Sequence, residues 1–253
     1  MAIPSIRCGS INVHSIRVQG KLEKLKDVVK KMKVDILFMQ ETFHSPTDAV
    51  IRKIKNTPGW NLIEQARPFE FGRPKHGGGV AILSLKSGVK VRKICYNEFH
   101  TTEFEYIVGH VECPPHKQSY MVVIVYRPGG DTIQPEFFTD LGDLLRRVYK
   151  GRRDIVLAGD INLHMNIKSN HQRAFLDVIQ RCKLRQHVVK ATHYAGNTID
   201  VVCTNLHSAP RMSVRDVGDI SDHKIIAWTL PLRDPTVKRA VPAKGKKRPL
   251  DGH

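Results

Sequence analysis

The sequence predicts an α/β fold in which two β-sheets pack face to face and helices flank them. Three observations carry this expectation. Short apolar runs rich in β-branched residues recur along the chain, only two or three stretches show helical periodicity between them, and segments 89–95 and 105–111 read as a strand pair.

Taken in order, a strand near residues 6–11 is followed by a helix over 19–33, where Leu22, Leu25, Val29 and Met32 share one face and lysines fill the rest. Strands are expected over 34–39 and 79–85, the second entered through the turn Gly77-Gly78-Gly79. That triplet is not a phosphate-binding loop, because no Gly-Lys-Ser/Thr and helix follow it. The pair 89–95 and 105–111 and a strand over 120–125 come next. Pro135 then opens a helix, its ring pre-setting the first turn, in which Phe138, Leu141, Leu145 and Val148 recur at three- and four-residue intervals. A strand over 154–158, a helix over 171–182 and strands over 199–203 and 225–230 complete the body, with no internal repeat. Residues 1–232 read as one domain and 233–253, dominated by Pro, Lys, Gly and Arg, as a basic flexible tail or linker. The tail's Lys244-Gly245-Lys246-Lys247-Arg248 suits a nuclear-import or DNA-contacting cluster and solvated linker charge equally well.

At 253 residues, 41% hydrophobic and 26% charged, the composition is that of a soluble globular protein. Of the net charge of +17, residues 234–253 contribute four (six basic, two acidic), which leaves +13 on the body. Such a body attracts polyanions, whether nucleic acid, anionic membrane or acidic protein, and charge alone does not choose among them. Five scattered cysteines without a C-x-x-C pair suggest neither a zinc site nor a disulfide framework. No signal core and no apolar run near the roughly 20 residues of a membrane span are present, so a reducing intracellular compartment is expected.

Polar and ionisable residues recur beside the strands, where loops on a rigid scaffold carry function. Asn12, Gln40-Glu41-Thr42, Tyr126-Arg127-Pro128 and Gly159-Asp160-Ile161-Asn162 follow strands, and Ser221-Asp222-His223 precedes one, so it meets the others only if that strand runs antiparallel. Singly, each has an ordinary explanation as a surface charge, turn residue or cap. Together with Ile199-Asp200 they form an ordered series that resembles the exonuclease-endonuclease-phosphatase superfamily over residues 5–230. Within it, Gly77-Gly78-Gly79-Val80-Ala81, Tyr126-Arg127-Pro128 and Thr192-His193-Tyr194-Ala195-Gly196-Asn197-Thr198-Ile199-Asp200 are most similar to endonuclease domains of non-LTR retrotransposons. Abasic-site repair enzymes usually carry a tryptophan and a Ser-Arg before the Ile-Asp, both missing here, and His14 stands where they often have an acid.

The resemblance implies a four-layer sandwich of two packed mixed β-sheets flanked by helices. It implies a magnesium ion, with manganese as substitute, held by Glu41 with Asp222 nearby, because hard carboxylate oxygens suit that ion. Asp160 would orient and deprotonate the attacking water, Asn162 would donate its amide to a phosphate oxygen, and Asn12 would assist both. His223, held by Asp200, would donate to the phosphate as imidazolium, and Tyr126 would present its hydroxyl there. Arg127, His193, Tyr194 and Thr198 are expected on the DNA side. The turn signal Gly196-Asn197 places His193 and Tyr194 on a hairpin reading DNA deformability, or on an ordinary surface turn with Tyr194 packed on the core. His44, His76 and His193 form no metal-ligand spacing, and His164, just past Asn162, reads as an incidental loop histidine rather than a substrate contact.

The expected function is a nick in double-stranded DNA that leaves a 3′-hydroxyl to prime reverse transcription of an element's RNA in the nucleus. A reverse transcriptase domain and the element RNA would be partners, and a membrane would not. An abasic-site repair endonuclease and a lipid or inositol phosphoesterase are the alternatives; a third, a nucleic-acid-binding module that has lost catalysis, is disfavoured by the complete set of matching polar residues.

Overall fold

The computed structural model of the protein describes residues 4–67, 77–85, 88–116, 118–130, 132–149 and 154–232. The basic tail 233–253 and His76 lie outside them.

The first sheet is built from β1 (Ser5–Asn12), β2 (Ile36–Gln40), β3 (Asn61–Gln65), β4 (Val80–Ser84), β11 (Met212–Arg215) and β12 (Ile225–Pro231), in the order β11-β12-β1-β2-β4-β3. The second contains β5 (Lys90–Ile94), β6 (Glu105–Cys113), β7 (Gln118–Tyr126), β8 (Ile155–Asp160), β9 (Arg185–Gln186) and β10 (Asp200–Thr204), in the order β5-β6-β7-β8-β10-β9. Each sheet has one parallel pair, β1 with β2 and β7 with β8, and is otherwise antiparallel. Both sheets are therefore mixed, as the resemblance implies.

Alternate side chains leave opposite faces of a strand, and here both faces find apolar partners. Ile36, Phe38, Ile82 and Trp228 of the first sheet meet Ile107, Val122, Ile124 and Val156 of the second between the sheets. On the first sheet's outer face, Leu37, Met39 and Leu83 pack against Leu22, Leu25 and Val29 of α1 (Lys21–Lys31) and Ile54 of α2 (Ala49–Lys55). On the second sheet's outer face, Val123, Leu157 and Val201 pack against Phe137, Leu141 and Leu145 of α3 (Pro135–Tyr149) and Phe175 and Ile179 of α4 (Asn170–Arg181). Burial on both faces makes the central strands continuous apolar runs rather than alternating ones. The result is four layers: helices, sheet, sheet, helices.

Helix α2 and strands β3, β9 and β11 are not anticipated by the sequence reading. With seven residues, α2 buries only Ile51 and Ile54, too few to repeat a helical pattern. Strands β3 and β11 are sheet edges with partly exposed side chains, and β9 has two residues.

The topology gathers one edge. Parallel pairing puts the ends of β1 and β2 together (Asn12 opposite Gln40) and likewise β7 and β8 (Tyr126 opposite Asp160). Antiparallel β10 begins at that edge with Asp200 opposite Asp160, and antiparallel β12 brings residues 221–223 beside Asn12. The condition set by the order of Ser221-Asp222-His223 is met.

Gly159 makes this edge possible. Its φ of 142° is open to glycine, and a Cβ there would lie 1.9 Å from the Val125 carbonyl oxygen. Backbone of β7 cannot retreat without breaking its own ladder. Gly159→Ala is expected to cost at least about 3 kcal/mol of stability in urea denaturation; a loss under about 1 kcal/mol would show that the close approach is not obligatory.

Candidate active site

Asn12 ties the two sheets together. Its Nδ2 donates to Glu41 Oε1 at 2.7 Å and to Asp160 Oδ2 at 2.9 Å, one carboxylate from each sheet. Glu41 follows β2 with a left-handed φ of 49°, and the backbone after it is held by Thr42 and Phe43 amides donating to Gly79 and Gly78 carbonyls. The turn 77–79 is thus a strand entry, as expected, and it also braces the Glu41 loop.

Asp160 is completely buried. Its Oδ1 accepts the Asn162 amide N–H at 2.8 Å, and the Asn162 side-chain Nδ2 donates to the Arg127 carbonyl at 2.8 Å. Burial raises the Asp160 pKa to about 7, with the negative charge of Asp200 adding to the effect. His223 lies opposite, with Nε2 at 3.8 Å from Asp160 Oδ2 and Nδ1 at 2.9 Å from Asp200 Oδ2. Burial alone would lower the His223 pKa, but the Asp200 carboxylate, with Asp160 and Asp222, raises it to about 9. The imidazole is therefore cationic at neutral pH. Ser221 locks its loop by donating from Oγ to the Asn12 carbonyl at 2.7 Å and accepting the His223 amide at 3.1 Å. Tyr126 is buried against Glu41, and burial with that neighbouring negative charge pushes its hydroxyl pKa up.

Asn12, Glu41, Tyr126, Asp160, Asn162, Asp200 and His223 are thus brought together. Asp222 sits at the rim, where its Oδ2 meets His193 Nε2 at 3.2 Å and its Oδ1 lies 3.9 Å from His14 Nδ1. Although burial acts in the opposite direction, the two histidines beside it, His193 and His223, hold its pKa below the usual carboxylate range. No hydrogen bond or ion pair among the described residues joins Asp222 to Glu41.

Two expected DNA contacts are corrected. Arg127 is 5% exposed, and its guanidinium donates to the Ile161 carbonyl at 2.7 Å and to the Asn162 carbonyl. It shapes the Asp160 loop from inside. Thr198 is 2% exposed with its hydroxyl on the Lys190 carbonyl at 3.2 Å, so it anchors a turn. Both motifs carried these residues for architecture rather than contact. Tyr194, by contrast, is 47% exposed, with its hydroxyl donating to Asp216 and to the Gly218 carbonyl, so it is not packed on the core. His193 lies edge-on to His223 with ring centroids 4.9 Å apart.

Three contributors were not singled out from the sequence. Buried Thr192 accepts the Ile199 and Asp200 amides on its hydroxyl at 3.1 and 3.2 Å, while its carbonyl accepts the Lys224 amide at 2.7 Å, and so it fixes Asp200 relative to His223. Arg67 Nε donates to Glu105 Oε1 at 2.7 Å, and the Glu105 carboxylate also accepts the Gly79 amide. Its pKa is raised by burial despite Arg67. A Cβ on Gly78 would fall 2.1 Å from Glu105 Oε1, so that position requires glycine. Thr192 stands at the head of a quoted motif, which is a usable signal; Glu105 and Arg67 have none.

Two sets of three ligand atoms lie within 4.8 Å of one another, Asp160-Asp200-His223 and His193-Asp222-His223. Both include His223, whose Nδ1 is engaged by Asp200 Oδ2 at 2.9 Å. Glu41, partly exposed and with one oxygen on Asn12, remains the carboxylate best suited to a hard divalent cation.

A model of the Endonuclease/Exonuclease/phosphatase family matches residues 9–223. No curated protein matches the chain. Among solved structures, it is similar to a 3′-5′ exonuclease (NExo) from Neisseria meningitidis, at 18% identity and TM-score 0.69, over 88% of this chain and 98% of that one. It is also similar to the endonuclease domain of TRAS1, a telomere-specific non-LTR retrotransposon, at 13% identity and TM-score 0.64, over 91% and 100%. An AP endonuclease from Archaeoglobus fulgidus gives 18% identity and TM-score 0.64, over 89% and 99%. At these identities the likeness establishes the shared fold.

Proposed function

The chain belongs to the Endonuclease/Exonuclease/phosphatase family, and from that premise we propose that it is a divalent-metal-dependent endonuclease that nicks double-stranded DNA to leave a 3′-hydroxyl. The observation that carries the reading is a buried carboxylate, Asp160, 3.8 Å from the Nε2 of an imidazole that Asp200 holds by its other nitrogen, with a second carboxylate, Glu41, linked to Asp160 through the Asn12 amide. The motifs shared with non-LTR retrotransposon endonucleases favour a nick that primes reverse transcription, with a reverse transcriptase domain and element RNA as partners in the nucleus.

In this reading Asp160, ionised for part of the time at neutral pH, accepts the proton of the attacking water as its oxygen bonds to phosphorus, the P–O3′ bond breaks, and the departing 3′ oxygen takes a proton from solvent. Asn12 and the Asn162 amide fix the direction of its oxygens. His223, held by Asp200, donates from Nε2 to a phosphate oxygen and offsets its charge. Tyr126 presents a neutral hydroxyl, and the Asn162 side chain can turn its amide from the Arg127 carbonyl to the phosphate. Glu41 would hold the cation, which supplies positive charge against the phosphoryl oxygens.

Supercoiled plasmid, an abasic duplex and a phosphoinositide, each with magnesium, separate this proposal from the two alternatives. Conversion of plasmid to open circle with polymerase-extendable 3′ ends is expected; hydrolysis confined to the abasic duplex or the lipid would overturn it. The rate should rise through neutral pH as Asp160 loses its proton and fall as pH passes about 9 and His223 loses its charge. A rate independent of pH from 6 to 10 would remove both assignments.

A further inference from the structure

A groove of about 850 Å³ lies on the first sheet's outer face, away from the catalytic edge. It is lined by Arg7 of β1, Lys31 at the end of α1, and Arg211 and Arg215 on or beside edge strand β11, with Ser213 and Thr229 among its hydroxyls. No carboxylate lines it, and among the described residues Lys31, Arg211 and Arg215 make no ion pair. Four cations thus line one concavity that has no carboxylate among its described lining residues, and Asp35, just outside it, accepts the Arg7 backbone N–H at 2.9 Å.

Local architecture accounts for only part of this. Arg7 Nη1 donates to the Met32 carbonyl at 2.9 Å, and Lys31 complements the carboxyl end of α1. Arg211 and Arg215 have no such task. Charge on an edge strand discourages edge-to-edge pairing, but a single lysine suffices for that and need not face a groove. Planar guanidinium forks match phosphate oxygens, and arginines dominate here three to one.

We infer that this groove is a second binding site for the phosphodiester backbone of nucleic acid, separate from the catalytic cleft. The inference rests on the nucleic-acid reading above for the identity of its ligand. Helix α1 joins the two places: Lys21, at its start, donates from Nζ to the Val13 and His14 carbonyls beside the cleft, and Lys31 ends it in the groove. Eleven helical residues span roughly 16 Å, which is about five base pairs of duplex. A nucleic acid held in the groove is therefore gripped outside the position of the nick. The groove lacks the exposed aromatic anchors with which a surface enters a bilayer.

The test compares the whole chain with R211E/R215E and R211K/R215K by fluorescence anisotropy on a labelled duplex of about 40 base pairs, with chelator present, across a salt series. The reversal variant is expected to bind at least about tenfold more weakly near 0.1 M salt, with a log–log salt slope shallower by about two, and the lysine variant to retain most of both. Its single-turnover nicking rate at saturating duplex should equal that of the unaltered chain. Unchanged affinity and slope overturn the inference, as does loss of binding to phosphatidylserine vesicles with duplex binding intact. Self-association of the variant with undiminished duplex affinity assigns the arginines to edge protection and overturns it too. Both residues are exposed, so the variants keep the fold. If the unaltered chain fails to nick, the proposed function falls, while the anisotropy comparison still decides the groove.

Discussion

Asp160→Asn and His223→Ala are each expected to lower plasmid nicking by about a thousandfold or more, with duplex affinity held within a few fold. The asparagine keeps the shape of the side chain but cannot accept a proton from water. The alanine removes the imidazolium that offsets phosphate charge. Affinity should survive both, because it rests on lysine and arginine contacts with phosphates rather than on the reacting groups. Stability gives an independent reading. The folded-state pKa of Asp160 lies above its ordinary value, so the folded state binds the proton more tightly than the unfolded chain, and the fold loses stability as pH rises through the acid range towards about 7. Asp160→Asn removes that penalty but turns an NH2 group towards either the Asn12 amide or the Asn162 N–H, so its melting temperature relative to that of the unaltered chain should rise from pH 5 to pH 8. Nicking at the unaltered rate in either variant would show that the site lies elsewhere.

Exhaustive chelation is expected to reduce nicking by at least about a hundredfold, and magnesium or manganese to restore it. Calcium should restore it poorly. Glu41 would offer a divalent cation one carboxylate and leave most of its coordination shell to water and substrate. That is the habit of the smaller ion, whereas calcium takes more oxygens at longer distances and positions a phosphate less tightly. Nicking that persists after chelation, or that calcium supports fully, would remove Glu41 from this role.

Much of the site was readable in the sequence because each residue stands next to a strand whose apolar run marks where the chain reaches the edge. Asn12, Glu41, Tyr126 and Asp160 fall at such ends, and an antiparallel last strand was the one condition for adding His223. The roles of Arg127 and Thr198 were misread for a common reason: a motif records that a residue type recurs, not whether its side chain turns inward. Arg127 lies buried along the backbone of the Asp160 loop, where local sequence gives no sign of its two carbonyl partners. The Arg67–Glu105 pair was invisible because the residues are 38 positions apart and meet only after two different sheets have packed. Helix α2 and the edge strands escaped because a short or half-exposed element buries too few side chains to show a period.

The register at the opposite edge has consequences for synthesis and for fusion. Ser5 of the first strand pairs with Pro231 of the last, and the chain completes the second sheet before β11 and β12 return to close the first. An emerging polypeptide therefore holds β1 without its long-range neighbour until some two hundred further residues have left the ribosome, and His223 arrives with that final hairpin. The candidate site is thereby incomplete until that hairpin arrives. The two ends of the body also leave side by side at the edge opposite the candidate site, so sequences joined before Ser5 or after Pro231 would depart away from that site and beside the basic groove that these two residues help to line. Linking those ends and opening the chain at an exposed turn should give a circular permutant that still folds.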